Sequence, residues 1–214
     1  MANNPMSGHP KHSRGQQRAP RIGLYDIVVM AAISIVFGVL YLLWIFFGQF
    51  VQAMLGPVAW GILAGMWVLA PIICAYIIRK PGIAFIAELI AAGTEVLAGS
   101  VNAGVVMLLG LTQGLGAELA FALFRYRNYR LPVLMLAGIL GMFANFITIY
   151  FVYGYDHLST LIVTFQLVAM LISGAVMGGW GGKAIADALG RTGVLNRFAL
   201  GKELREESGN HGLS

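Results

Sequence analysis

The sequence predicts an all-α polytopic membrane protein of six transmembrane helices, with both termini cytoplasmic. Three observations predict it. Of 214 residues, 58% are hydrophobic and only 11% charged, where a soluble domain carries about 25% charged residues. Six apolar runs reach or approach the roughly 17 to 25 residues that a helix needs to cross a hydrocarbon core about 30 Å thick. All fourteen Lys and Arg residues fall on one side of the topology those runs define.

Residues 1–21 hold Lys11, Arg14, Arg18 and Arg21 but no apolar run. They lack the core of a secretory signal and read as a disordered basic cytoplasmic tail. The membrane domain follows over residues 22–190. Its first run, Ile22 to Phe47, carries Ser34 and Gly38 at a spacing that lets two helices approach closely. The second, Pro57 to Ile78, opens on a proline, harmless at a helix start. It also carries Pro71, which removes one backbone hydrogen bond and predicts a bend.

The third run, Ile83 to Ala98, is short and holds both Glu88 and Glu95. The charge sorting argues for it, because without this span every later loop would place its basic residues on the wrong side. Ala103 to Phe124 is the fourth run, Leu131 to Tyr153 the fifth, and Leu158 to Gly182 the sixth. Glycine pairs four apart (Gly61/Gly65, Gly110/Gly114 and Gly174/Gly178/Gly182) predict close packing inside the bundle. Residues 191–214 read as a cytoplasmic tail whose segment around Lys202 to Glu207 forms a short helix.

Arg79 and Lys80 lie between runs two and three, Arg125, Arg127 and Arg130 between four and five, and five more basic residues at or beyond the end of run six. The connections Gly48–Gly56, Gly99–Asn102 and Gly154–His157 have none. Short loops rich in Lys and Arg stay cytoplasmic, and this fixes the orientation.

The same distribution argues against a nucleic-acid partner despite the net charge of +5. The partner of these charges is the lipid bilayer. Cys74 is the only cysteine and reads as a buried free thiol. The four histidines, His9, His12, His157 and His211, all lie outside the runs, so neither a metal site nor a Ser-His-Asp hydrolase is expected. Gly178-Gly179-Trp180-Gly181-Gly182-Lys183-Ala184 misses a phosphate loop at Met177 and Ala184. No cofactor and no enzymatic activity are predicted.

The informative residues are the acids inside the apolar runs. Glu88 and Glu95 are seven apart, two helical turns, and share one face about 10 Å apart along the axis. Glu118 lies on the fourth run. Carboxylates at this depth face a cavity, pair with a cation or take up a proton. Glu88 and Glu118 lie within reach of Arg79, Arg125 or Arg127, so they either bind ligand or hold helices together. Glu95 has no basic residue on its side of the membrane and is the leading binding candidate. Gln113, Asn145 and Gln166 add amides at outer or middle depth, and Trp60, Trp67 and Tyr150 add ring faces. A carboxylate among rings and amides suits a small, flat, partly cationic heteroaromatic ligand.

Ile78-Arg79-Lys80-Pro81-Gly82, continuing through Ala87-Glu88-Leu89 and Glu95, resembles the YkoE-type substrate-binding (S) components of energy-coupling factor transporters. So does Gln113-Gly114-Leu115-Gly116-Ala117-Glu118-Leu119. The resemblance implies a six-helix subunit that binds thiamine or its hydroxymethylpyrimidine precursor from outside. Its partners would be a transmembrane coupling subunit and two cytoplasmic ATPases. Family members commonly meet the coupling subunit through an Ala-xxx-Ala face on helix one, for which Ser34 and Gly38 are the nearest match here. The alternative is a stand-alone proton-coupled carrier that uses the three carboxylates as a relay.

Overall fold

The computed structural model describes residues 22–56 and 58–211. The tail expected over residues 1–21 and the proline at position 57 lie outside them. The described residues form helices, with no strand among them.

Helix α1 (Leu24–Leu55) continues past its expected end at Phe47. No proline interrupts it, and it stops only at Gly56, whose φ of 70° favours glycine. Helix α2 (Val58–Ile78) is central, and every residue from Leu69 to Ile78 is buried. It is α-helical over Val58–Leu63, tightens to a 3-10 turn over Ala64–Val68, and resumes at Leu69. Pro71 has no N–H to give the Trp67 carbonyl, so the predicted bend takes the form of this break just upstream.

Side chains of α1 and of the helix over Thr160–Ser173 satisfy the backbone groups near the break. The Gly65 N–H donates to Ser173 Oγ at 2.9 Å, and the Ala70 N–H to Tyr41 Oη at 3.1 Å. Ser173 Oγ donates to the Ile62 carbonyl at 2.5 Å, and Trp44 Nε1 to the Leu63 carbonyl at 3.1 Å.

Helix α3 (Ile83–Leu97) packs against α1, α2 and the following helix. At 15 residues it is about 22 Å long, shorter than a hydrocarbon core. Helix α4 (Ala103–Leu123) leads through a basic loop to α5 (Leu131–Val152), which carries Pro132 in its first turn as expected. A 3-10 turn over Tyr155–His157 precedes α6 (Thr160–Arg191). Helix α6 runs beyond its expected end at Gly182 and contains a π-helical stretch over Gly174–Gly181. Helices α1, α2, α4, α5 and α6 are long and apolar enough to cross a membrane.

The glycine-rich stretch of α6 is a crossing point. A Cβ on Gly138 of α5 would run into the backbone of Gly174, and one on Gly174 into Gly138. Gly110 and Gly114 admit Ala92 and Glu88 of α3 in the same way.

One expectation needs correction. Ser34 and Gly38 do not form an outward docking face. Both are buried, with Ser34 Oγ 4.0 Å from Cys74 Sγ. A Cβ on Gly38 would fall 2.5 Å from the Ala91 carbonyl oxygen. The free thiol of Cys74 is buried as predicted. At the C-terminal end, helix α7 (Ala199–His211) packs on the bundle, with Leu195 and Phe198 just before it and Leu200 in its first turn buried. An Arg79–Glu203 ion pair adds to that contact.

Candidate functional site

A cavity of about 530 Å³ lies between the helices at the end of the bundle that carries no basic loop. Val101 and Tyr153 on its lining are 94% and 56% exposed, while Glu95 and Gln113 are each only 3% exposed. It therefore narrows from a rim at the α3–α4 and α5–α6 connections down to a polar floor.

Helices α1 to α6 all contribute to its lining. Trp60 and Trp67 project from α2, with ring centroids 6.1 Å apart and planes inclined at 46°. Trp60 is held by donation from Nε1 to Gln52 Oε1 at 2.8 Å. Its ring lies over Gly48, where a Cβ would fall 2.5 Å from Cζ3. Trp67 sits in the 3-10 turn, so the break in α2 is what presents its ring. Glu95 comes from α3, and the side chains of Trp67 and Ser100 lie within reach of its carboxylate. No cation pairs with Glu95 among the described residues.

Gln113, Asn145 and Gln166 arrive from α4, α5 and α6. Two of these amides belong to a chain that continues inward. Asn145 Nδ2 donates to Gln113 Oε1, and Gln113 Nε2 donates to Glu88 Oε1. Tyr41 Oη donates to Glu88 Oε2 at 3.4 Å. Glu88, 0% exposed, thus supports the cavity from behind without lining it.

The predicted site residues therefore separate. Glu95, Trp60, Trp67, Gln113, Asn145 and Gln166 meet in one cavity. Tyr150 does not line it and packs on Phe146, with centroids 6.3 Å apart. Glu118 stands at the opposite end, accepting from the backbone N–H of Gly82 at 2.6 Å and of Phe85 at 3.2 Å. It caps α3, where the first-turn N–H groups have no partner within the helix. Neither Glu88 nor Glu118 pairs with Arg79, Arg125 or Arg127 among the described residues.

The cavity also recruits Gln49, Gln52, Ser100 and Tyr155, which sequence reasoning passed over. Gln49 and Gln52 fell in what read as a loop. The signal that reveals them is the spacing Ile45, Gln49, Gln52, which continues one face of α1. Tyr153, at the end of the fifth run, forms part of the rim.

Comparison with known proteins agrees with this geometry. Residues 25–144 match the family described as ABC-type cobalt transport system, permease component. The YkoE protein of Bacillus subtilis (strain 168), named as an HMP/thiamine permease, is 48% identical over 182 residues, covering 85% of this chain and 92% of the relative. A solved crystal structure of an S-component of an ECF transporter superposes with a TM-score of 0.86 at 45% identity. It covers 90% of this chain and 98% of the other. This chain belongs to the YkoE-type S-components of energy-coupling factor transporters and is a multi-pass membrane protein, a non-catalytic substrate-binding subunit of a transport system.

Proposed function

We propose that the cavity binds thiamine or its hydroxymethylpyrimidine precursor from the extracellular side, for import driven by ATP hydrolysis in separate subunits. The name of the Bacillus subtilis relative supports the substrate class. The observation that carries the reading is Glu95, a buried carboxylate without a cationic partner among the described residues, beside two indole rings in a cavity of ligand size. A thiazolium ring would supply the missing positive charge and stack on Trp60 or Trp67. The amides of Asn145, Gln113 and Gln166 would read the pyrimidine edge.

In this reading α3 is a sixth crossing despite its length, and both termini are cytoplasmic. The sorting of basic residues supports that orientation, since the cavity rim lies among the connections without them. Docking on the coupling subunit uses a face other than the buried Ser34 and Gly38. A three-carboxylate proton relay is disfavoured because Glu118 is engaged in capping α3 and Glu88 in holding Gln113.

Isothermal titration of detergent-purified protein with thiamine and with hydroxymethylpyrimidine tests this. Glu95→Gln should weaken thiamine by roughly 100-fold, because a desolvated charge pair is lost, and the uncharged precursor much less. Unchanged thiamine affinity would remove Glu95 from the site.

A further inference from the structure

A second cavity, about 510 Å³, lies at the opposite, basic end of the molecule and plays no part in the reading above. Its walls carry five cationic side chains from separate elements: Arg79 at the end of α2, Arg127 and Arg130 in the α4–α5 loop, and Lys183 and Arg191 on α6. Among the described residues two carboxylates, Asp187 and Glu203, face them. Lys183 is held by Asp187 at 2.5 Å, and Arg79 by Glu203. Arg127, Arg130 and Arg191 have no ion-pair partner among the described residues, leaving an excess of three positive charges around one concavity.

The loop is built to aim its arginines. Between them Tyr129 is buried, stacked on Phe121 with centroids 5.4 Å apart and covered by the Arg79 guanidinium at 5.4 Å from its ring. Asn128 Oδ1 accepts the Arg130 backbone N–H at 3.0 Å. The anchored Tyr129 thus carries an arginine two residues before it and another immediately after it to the same hollow. A belt of orienting charges needs only to face solvent and does not require such convergence.

We propose that this cavity binds a phosphate group, either the headgroup of an anionic phospholipid or a soluble phosphate. Several guanidiniums lining one hollow suit a phosphate, which accepts paired N–H bonds from each. Basic hollows between helices at a membrane face are suited to anionic headgroups. Leu131 and Leu204 give the hollow an apolar side, against which the glycerol end of a lipid would rest.

The test uses the full chain and two probes. Native mass spectrometry counts phosphatidylglycerol retained from mixed phosphatidylcholine nanodiscs, and calorimetry measures inorganic pyrophosphate binding in detergent. Arg130→Gln with Arg191→Gln is compared with Arg125→Gln plus Lys202→Gln, which removes the same charge outside the cavity. Thermal unfolding confirms that both pairs fold, and Arg127→Gln alone serves if the double variant does not. The cavity pair should lose about tenfold or more of the affinity and the control pair less than about twofold. Retention of phosphatidylglycerol alone identifies a lipid source, and pyrophosphate binding alone a soluble one. Binding of neither probe, or equal loss in both pairs, overturns the proposal.

Discussion

Gln113 donates its amide N–H to Glu88 and accepts from Asn145 on the other side of the same amide. Glu88 Oε1 is the acceptor in this pair, so it decides which way Gln113 turns, and Gln113 in turn decides Asn145. What Asn145 keeps for the cavity is its carbonyl oxygen and one N–H. An acceptor beside a donor complements an aminopyrimidine edge, which offers an exocyclic N–H next to a ring nitrogen. Glu88 therefore acts as a positioning residue through two amides.

Glu88→Gln should blur this order, since a second amide offers both donor and acceptor. Affinity for hydroxymethylpyrimidine is expected to fall about tenfold with the fold intact, the scale of one mispaired hydrogen bond. Glu88→Leu should instead leave the Tyr41 O–H and the Gln113 N–H without their acceptor. Each would cost about 1–3 kcal/mol, visible as a lowered midpoint of thermal unfolding.

Trp67 is expected to be the larger aromatic contributor because it stands beside both Glu95 and Trp60. Trp67→Ala should lower thiamine affinity by about tenfold, and Trp67→Phe by less, since a ring face survives. Titrations followed by intrinsic fluorescence would check this. Equal effects of Phe and Ala would mean that the indole packs against protein and not against ligand.

Glu118 should matter to stability and not to binding. Glu118→Ala removes the acceptor from the first turn of α3 and should cost about 0.5–2 kcal/mol. Thiamine affinity, measured beside the unfolding midpoint, should stay within about twofold, because the backbone groups that Glu118 accepts from lie at the end of α3 far from the cavity.

Gly138→Val should disrupt the α5–α6 crossing, since any Cβ there meets the Gly174 backbone. Overpacking of this kind costs about 1–3 kcal/mol or more. Gly104→Ala, where a Cβ has nothing within 4 Å, is the matched control. Detergent size-exclusion profiles should separate the two variants.

Much of the architecture was legible without coordinates. Composition forced helices into lipid, and the sorting of arginines made a case for α3 that its short apolar run does not make alone. Glu95 was identifiable because no Lys or Arg lies in the connections at its end of the bundle. Less legible were α1 beyond Phe47 and the docked α7. In both, a polar residue every few positions looks like loop or tail until its apolar partners are found: Trp60 over Gly48, and the bundle surface under Leu200.

By itself the sequence determined the solvent of this protein, the gathering of its basic residues in alternate connections, and the few polar side chains that lipid would reject. These follow from hydration energies, which depend on residue type and little on neighbours. Only the tertiary structure decided which acid does what. Glu88, Glu95 and Glu118 look alike along the chain, yet one supports an amide chain, one lines a cavity and one caps a helix. That division is set by where α3 crosses α1, α2 and α4. Close approach at the glycines fixes those crossings, and no spacing within a single helix encodes them.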